Sequence, residues 1–149
     1  MGPVAEDLHQ QVAARMAAID QRYTRGRRQL VEALDSAPRP LTASELVATC
    51  PSLPQSTAYR NLAVLSQAGA VHRVAGTDDF VRYELDEDVT GRHHHHLVCR
   101  SCGSVEDFSA PAKLEQSVSA LMGAIGGDRG FRPESHRLDV VGTCATCST

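Results

Sequence analysis

Apolar side chains in the first half of the chain recur every three or four residues, the spacing that places them on one face of a helix. This pattern predicts a first helix over residues 6–20 and a second that begins after an N-cap at Thr24 and ends before Pro38. The segment Thr42–Glu45 has the form of a capping box and opens a third, short helix. A fourth helix is predicted over residues 54–69, where a glycine provides the stop.

Two strand-like segments follow, around Val71–Ala75 and Phe80–Leu85, and the turn-forming sequence GTDD joins them. Helices followed by a two-stranded hairpin predict a winged helix, which is a variant of the helix-turn-helix fold. We therefore interpret residues 1–85 as a winged-helix DNA-binding domain.

The acidic stretch that begins at Asp86 predicts a hinge over residues 86–92. Beyond it we predict strands near His93–Val98 and Val105–Phe108, a helix from about Pro111 to Ile125, a Gly-rich loop, and a strand over about Ser135–Val141. The chain is thus an α/β (α+β) protein whose second domain covers residues 93–149. A unit this small has little stability alone, so we expect it to dimerise and to bind a stabilising metal ion.

The composition is that of an ordinary globular protein, with 42% apolar and 22% charged residues among 149. No apolar run approaches the ~20 residues that span a bilayer, and the N-terminus lacks the apolar core of a secretory signal. We therefore expect a cytoplasmic protein with no membrane partner. Residues 21–75 carry seven basic and three acidic residues, a net +4, whereas residues 76–149 carry seven basic and twelve acidic residues, a net −5. This asymmetry suggests separate tasks for the two parts.

Four of the five cysteines form two pairs, Cys99/Cys102 and Cys144/Cys147, each with two residues between the thiols. In a cytosolic chain this arrangement predicts a closed four-thiolate zinc site, because one tight turn presents both sulfurs of a pair to a tetrahedral ion. One such zinc ion per chain would stabilise the fold. The alternative is a redox-active pair of the thioredoxin kind, which has no use for a second pair. Cys50 stands alone and is interpreted as a small buried apolar residue.

A block of histidines, His93–His96, directly precedes the first cysteine pair. Because alternate side chains of a strand face opposite sides, this one stretch can supply two different metal sites. Further candidate ligands are Glu84 and Asp86, which share a face of the second hairpin strand, together with His72 and His136. Imidazole and carboxylate ligands suit Zn²⁺, and also Fe²⁺, Mn²⁺ or Ni²⁺. No HExxH motif, Ser/His/Asp signature or Gly-rich phosphate loop is present, so we predict that the protein is not an enzyme.

Three motifs follow one another along the chain: STAYRNL at residues 56–62, HHHHLVCRSCG at residues 93–103, and His136 placed eight residues before Cys144 in a two-cysteine ending. In this order they resemble the ferric uptake regulator family of metal-responsive repressors over nearly the whole chain. The first motif is similar to that family's recognition helix. The resemblance also implies that the C-terminal domain dimerises and that the four paired cysteines hold a structural zinc.

The resemblance further implies two regulatory metal sites. A hinge site that senses the metal supply would use His72, Glu84, His94 and His96. An additional site on the dimerisation domain would use His93, His95, Glu115 and His136. The full histidine run resembles the zinc uptake regulator branch most closely. That branch generally has a cysteine in the hinge site and an aspartate near position 72, where this chain offers His72 and either Glu84 or Asp86.

We therefore predict a metal-dependent transcriptional regulator, a zinc-responsive repressor of metal-uptake genes that binds a palindromic operator in double-stranded DNA as a homodimer. Metal at the hinge would space two recognition helices for successive major grooves, about 34–36 Å apart. Tyr59 is expected at a base edge and Arg60 at phosphate. The full set of candidate DNA contacts is Arg25, Arg27, Arg28, Gln55, Ser56, Thr57, Tyr59 and Arg60.

Two alternatives stay open at this point. Within the same family, the signal would be iron, manganese, nickel or peroxide instead of zinc. In a different class of function, the histidines would serve a zinc-storage module without DNA binding, which leaves the basic front segment and the STAYRNL motif unexplained.

Overall fold

The computed structural model describes residues 2–149, with side chains from Glu6 onward. Over this range the chain forms the elements α1 (Gly2–Ala18), α2 (Arg25–Ser36), β1 (Leu41–Thr42), α3 (Ala43–Thr49), α4 (Gln55–Gln67), β2 (Val71–Ala75), β3 (Val81–Leu85), α5 (Glu87–Thr90), β4 (His95–Cys99), β5 (Val105–Phe108), α6 (Ala112–Arg129) and β6 (Asp139–Gly142). The mixed α/β fold predicted from the sequence is confirmed.

Local hydrogen bonds fix the helix starts where the sequence predicts them. The Thr24 hydroxyl accepts a hydrogen bond from the backbone N–H of Arg27 at 3.3 Å and caps α2. Thr42 and Glu45 form the reciprocal capping box that opens α3. Beyond the end of α4, Gly69 has a φ of 76°, a left-handed conformation that glycine adopts without strain. The predicted starts of α2 and α3 and the end of α4 near Gly69 are confirmed, whereas α1 spans Gly2–Ala18 instead of the predicted residues 6–20.

The wing is an antiparallel sheet with the strand order β1–β3–β2. Its register places His72 opposite Glu84 and Val74 opposite Arg82. The short strand β1 was not predicted, because two residues carry no periodic signal. The prediction that the second hairpin strand starts at Phe80 was wrong by one residue, since that side chain is 64% exposed in the turn.

The main apolar core lies between the N-terminal helices and the wing sheet. The side chains that are completely buried there include Val12, Met16, Leu30, Val31, Leu46, Leu62 and Leu65. They come from the helix faces that the three- and four-residue spacing predicts, and burial of each contributes about 1.5–3 kcal/mol. A separate small cluster, Val74 with Val98 and Val105, joins the wing to the second sheet.

The predicted hinge, residues 86–92, contains a short helix that the sequence analysis missed. The Asp86 side chain caps α5 by accepting from the backbone N–H of Asp88, and Gly91, at φ 69°, ends it. Val89 of this helix is 4% exposed and packs in the main core. An acidic stretch that looked like a plain linker is therefore anchored to the winged helix by one apolar side chain.

The second sheet has the order β5–β4–β6, in which β4 pairs antiparallel with β5 and parallel with β6. Three predicted boundaries were wrong here: β4 begins at His95 instead of His93, β6 begins at Asp139 instead of Ser135, and α6 continues to Arg129 through the predicted Gly-rich loop. A helical glycine costs only about 1 kcal/mol, so a pair of them need not end a helix. Within residues 2–149, no helix is both long and apolar enough to cross a membrane.

Candidate metal centres and nucleic-acid surface

Two turns bring the four paired cysteines together. Cys99 ends β4 and Cys102 lies in the turn that follows, whereas Cys144 and Cys147 lie in the turn after β6. The four sulfurs lie within 4.8 Å of one another, and those of Cys102 and Cys144 are 3.8 Å apart. Two thiolates at about 2.3 Å from one tetrahedral ion are separated by about 3.8 Å. The cluster therefore fits a structural zinc ion.

Hydrogen bonds shift the pKa values of these thiols. Backbone N–H groups of Cys102 and Cys144 donate to the Cys99 sulfur and lower the pKa of that thiol to about 6. Hydrogen bonding to Ser104 lowers the pKa of the Cys102 thiol. In contrast, hydrogen bonding with Cys144 and Cys102 raises the pKa of Cys147 to about 12. Since zinc binds thiolates, Cys99 and Cys102 are already biased toward the form that a metal needs.

A second cluster joins the wing to the second sheet, with the buried Glu84 of β3 at its centre. One carboxylate oxygen, Oε1, lies 2.7 Å from His72 Nε2. The other, Oε2, lies 2.8 Å from His94 Nε2 and 2.9 Å from His96 Nε2. The β2–β3 pairing supplies His72, β4 supplies His96, and the residue directly before β4 is His94. Of the four residues predicted for the hinge site, Glu84, His94 and His96 thus converge, whereas His72 contacts the cluster through the other oxygen of Glu84.

Asp107 also belongs to this group, although the sequence did not indicate it. We call His72, Glu84, His94, His96 and Asp107 the hinge cluster. Asp107 lies on β5 opposite His96, and its Oδ1 is 3.5 Å from His96 Nε2 and 3.7 Å from His94 Nε2. This oxygen is buried and has no hydrogen-bond partner among the residues that the structure describes. Burial raises the pKa of Asp107. A buried carboxylate oxygen beside two imidazoles is satisfied if it binds a cation, so the cluster fits a metal ion.

The imidazoles around Glu84 change the pKa of its carboxyl, and the carboxylate in turn changes theirs. Burial by itself raises the pKa of this carboxyl, but hydrogen bonds with His72, His94 and His96 outweigh burial and hold the pKa well below its usual range. The pairing with Glu84 raises the pKa of His94. Burial lowers the pKa of His96, yet the same carboxylate more than compensates, and the net shift is upward. A cation that replaces the shared protons would meet an ionised carboxylate and converging imidazoles.

Asp86, the alternative hinge carboxylate, is engaged elsewhere. Its side chain caps α5, and its Oδ1 lies 3.4 Å from the Arg15 guanidinium. Its Oδ2 is 3.9 Å from His72 Nδ1, the ring nitrogen that faces away from Glu84. The geometry thus favours Glu84 as the metal-binding carboxylate and leaves Asp86 to orient the His72 ring from behind.

The third cluster is formed by His93, His95, Glu115 of α6 and His136 of the loop before β6. Nε2 of His93 lies 3.1 Å from His136 Nε2 and 3.2 Å from a Glu115 oxygen. His95 is 3% exposed and contacts the other Glu115 oxygen. Two nitrogens bound to one tetrahedral zinc are about 3.3 Å apart, so this four-ligand set fits zinc. His93 and His94 precede β4, yet they divide between the two clusters in the same alternating way: His93 joins His95, and His94 joins His96.

Several predicted DNA contacts lie on exposed surface. On α4, the proposed recognition helix, Gln55, Ser56 and Arg60 are exposed, Tyr59 is 44% exposed and Thr57 is half-buried. On α2, the side chains of Arg25 and Arg28 are exposed, and Arg28 pairs with Glu32 one turn along the helix. These side chains are therefore accessible from solvent.

Arg27 differs from the other candidate contacts because its guanidinium is engaged within the protein. It donates to Asn61 Oδ1 at 3.0 Å, to Gln21 Oε1 at 3.0 Å and to the backbone carbonyl of Arg22 at 2.8 Å. Asn61 is a buried residue of α4. Arg27 thus fixes the position of the recognition helix against α2, a role that the sequence did not indicate.

The family model of the ferric uptake regulator family matches residues 18–141. The chain belongs to the ferric uptake regulator family. Proteins of this family are transcription regulators and not enzymes. This agrees with the prediction that the protein is not an enzyme. We therefore interpret the clusters as binding sites.

A relative within the ferric uptake regulator family is the ferric uptake regulation protein of Neisseria meningitidis, which is 36% identical to the chain over 92 residues. The matched part covers 62% of this chain and 58% of that protein, so it spans little more than half of the relative's length.

Solved structures of the family share the fold. The ferric uptake regulator of Helicobacter pylori superposes with a TM-score of 0.73 over 97% of this chain and 94% of that one, at 17% identity. A zinc-bound manganese uptake regulator superposes with a TM-score of 0.61 over 91% of this chain and 98% of that one, at 27% identity.

Proposed function

We propose that the protein is a metal-dependent, DNA-binding transcription regulator, and specifically a zinc-responsive repressor of metal-uptake genes. One observation carries the proposal: the hinge cluster takes its residues from both sides of the hinge. Glu84 and His72 come from the wing, whereas His94, His96 and Asp107 come from the second sheet. A cation bound there would fix the winged helix relative to the rest of the chain.

The regulatory mechanism is a shift in population. Without metal, the two winged helices of a dimer sample several orientations, and metal at the hinge favours the one that spaces them for successive major grooves, about 34–36 Å apart. A coupling free energy of 1–3 kcal/mol raises DNA affinity about 5–150-fold. Because linkage is reciprocal, operator DNA raises metal affinity by the same factor. The basic surface of α2 and the polar surface of α4 would contact the duplex.

Three sites per chain follow from this proposal. The four-cysteine cluster holds a structural Zn²⁺ ion. The hinge cluster, which includes Asp107, binds the regulatory ion, with Glu84 as the wing carboxylate. The third cluster, His93, His95, Glu115 and His136, binds an additional ion that adjusts the response. When bound, each ion supplies a positive charge that links side chains from different elements, and the regulatory one supplies a link across the hinge.

Zinc is the proposed signal because of the ligand chemistry. The hinge cluster offers three imidazoles together with the carboxylates of Glu84 and Asp107, and zinc binds ligands of these types. The structural relative with bound zinc, a manganese uptake regulator, supports the assignment at 27% identity. Iron, manganese, nickel and peroxide stay as alternative signals, and the Neisseria relative is a ferric regulator. A zinc-storage module without DNA binding gains no support, because family members regulate transcription.

A homodimer on a palindromic operator is the proposed assembly. The second sheet and α6 leave Leu97, Leu121 and Val140 exposed by 39%, 58% and 50%. Burying such side chains between two copies of residues 93–149 would supply the core that one copy lacks. The proposed division is thus a DNA-binding domain over residues 1–85, a hinge over 86–92 and a dimerisation domain over 93–149. A repressor of chromosomal genes works in the cytoplasm, where thiols stay reduced.

A titration of DNA binding against buffered free metal tests the proposed function. Fluorescence anisotropy of a labelled duplex selected by the protein would be recorded across Zn²⁺, Fe²⁺, Mn²⁺ and Ni²⁺ concentrations. We expect zinc to raise affinity at the lowest free concentration, with random duplex as the control. If another metal raises DNA affinity at a lower free concentration than zinc does, that metal is the signal instead of zinc. DNA affinity that does not change with the concentration of any of the four metals would refute metal-dependent regulation.

A further inference from the structure

The wing and the second sheet touch along an interdomain seam, which we define as Val74, Thr77 and Asp78 facing Val98, Gly103 and Val105. The three valines form an apolar cluster that is separate from the main core. Val74 is 1% exposed, Val98 5% and Val105 1%, so water is excluded from this contact as it is from a domain interior. The seam therefore holds the two parts of the chain together by a contact that involves no metal ligand.

The seam is continuous with the hinge cluster. Each valine lies two residues from a member of that cluster or its partner on the same strand: Val74 from His72, Val98 from His96, and Val105 from Asp107. Because residues two apart share one face of a strand, valines and metal-binding side chains face the same gap between the sheets. Any shift of the valines across this gap must also shift the metal-binding side chains.

The turn between β2 and β3 contacts the turn between β4 and β5, which carries Cys102 and which we call the cysteine turn. The Thr77 hydroxyl donates to the backbone carbonyl of Cys99 at 2.6 Å. Asp78, held by a two-pronged ion pair with Arg82 at 2.8 and 2.9 Å, sits directly on Gly103. A Cβ at Gly103 would lie 2.2 Å from Asp78 Oδ2, so only glycine permits this approach. The wing thus packs against the end of β4 and the cysteine turn, which carry two of the four clustered cysteines.

From these contacts we infer that the seam stabilises the same arrangement of wing and second sheet that the hinge metal requires, and that Val74 and Thr77 are positioning residues for the hinge site. The inference rests on the proposed function, since it assigns these residues to that metal site. The hinge ligands converge only in this arrangement, so contacts that raise its population also raise the affinity of the site for metal. The folded cysteine turn therefore raises the affinity of the hinge for its metal.

The first experiment asks whether the seam and the hinge metal stabilise the same arrangement. The full chain, with its cysteine zinc retained and weaker metal removed by mild chelation, would be labelled at the valine methyl groups. We expect NMR cross-peaks between methyl groups of Val74 and those of Val98 and Val105, and we expect them to strengthen when Zn²⁺ is added. Cross-peaks that are absent with zinc bound, or that do not strengthen with zinc, would overturn the inference.

The second experiment measures hinge zinc affinity by competition with a chromophoric chelator. All variants carry His136→Ala, which weakens the third cluster so that it does not obscure the titration. Thr77→Val removes the hydroxyl without changing the shape, and Val74→Thr places a polar group in the seam. We expect each to weaken zinc binding within the ~5–150-fold range of inter-site coupling. Thr77→Ser, which keeps the hydroxyl, should retain the parent affinity.

Two matched controls separate the seam from general stability. Thr49→Val removes a hydroxyl that donates to the Glu45 carbonyl at 2.9 Å inside α3, and Val81→Thr changes a 43% exposed position of the same hairpin. Both should leave zinc affinity unchanged, and thermal unfolding would verify that every variant folds. Seam variants that bind zinc as tightly as these controls would refute this inference alone. A parent protein that binds no zinc at the hinge would refute the proposed function.

Discussion

His96 and Asp107 stand opposite each other in the β4–β5 pairing, and the histidine Nε2 lies 3.5 Å from the carboxylate Oδ1. That oxygen is buried and has no hydrogen-bond partner in the described part of the chain. A strand holds both side chains rigidly, which is what a selective metal site requires. Asp107 is thus an additional candidate ligand of the hinge site, beside the histidines and Glu84.

Replacing Asp107 by asparagine should lower hinge zinc affinity at least about tenfold, because the neutral amide cannot supply the negative charge that faces the cation. Competition with a chelator, in a chain whose cysteine zinc is retained, measures the effect. Glu106→Gln is the matched control, since that neighbour is exposed on the opposite face of β5. Equal affinities for the two variants would remove Asp107 from the site.

Replacing Cys144 by serine should release the structural zinc and cost the dimer or the fold, because it opens a closed thiolate site. Zinc content per chain, together with mass by light scattering, checks this outcome. Cys50→Ser serves as the control, since Cys50 is buried in the winged helix far along the chain from the cluster. A soluble Cys144→Ser dimer that keeps its full zinc content would contradict the assignment.

The two halves of the histidine block should differ in their effect on DNA binding. His96→Ala removes an imidazole that contacts the wing carboxylate Glu84, so metal-dependent DNA binding should be nearly abolished while the dimer stays intact. His95→Ala disrupts the cluster with Glu115, which lies outside the wing, so it should shift the metal response only partly. Operator anisotropy across buffered zinc measures both. A silent His95→Ala together with a mild His96→Ala would count against this division.

Sequence preference and general DNA affinity should depend on different residues. Tyr59 is 44% exposed on α4 and is proposed to contact a base edge, so Tyr59→Ala should reduce the preference for operator over random duplex. Arg28→Ala should weaken binding to all duplexes alike and flatten the salt dependence, because it removes a phosphate contact. Titrations at several salt concentrations distinguish the two. Equal losses on both duplexes for Tyr59→Ala would argue against base reading.

The capping box of α3 should make stability depend on acid pH. The hydrogen-bonded Arg39 guanidinium, with the Thr42 cap, lowers the pKa of Glu45 to about 2 from 4.5. A carboxyl whose pKa is lower in the folded state stabilises the protein above its unfolded pKa, and this contribution is lost as the pH falls toward the folded value. Glu45→Gln should cost about 1 kcal/mol at neutral pH, after allowance for partial exposure.

Urea unfolding at a series of pH values checks this. The stability gap between the parent and Glu45→Gln should narrow steadily below about pH 4.5. Glu106→Gln, which changes an exposed carboxyl in the second sheet, should show no such gap at any pH. A gap for Glu45→Gln that is constant with pH would mean that the carboxylate charge is not what stabilises the helix.

Features that depend on neighbours along the chain could be predicted from the residues alone. Thr24 and Thr42 open helices because a cap acts through hydrogen bonds to residues two or three positions away. The cysteine pairs and the histidine block indicated metal chemistry because thiolates and imidazoles are its ligands. Alternation along the block also assigned its four members to two clusters, since the period of an extended chain is a local property.

Contacts between distant residues, in contrast, depend on how the segments pack. Glu84 lies in β3 and Asp86 directly follows that strand. Packing against the second sheet places Glu84 beside the imidazoles, whereas Asp86 caps α5. Asp107 entered the hinge cluster through strand register, and Thr77 reached Cys99 through the stacking of two hairpins. Register and stacking arise from contacts between segments far apart in the chain, which no local pattern encodes.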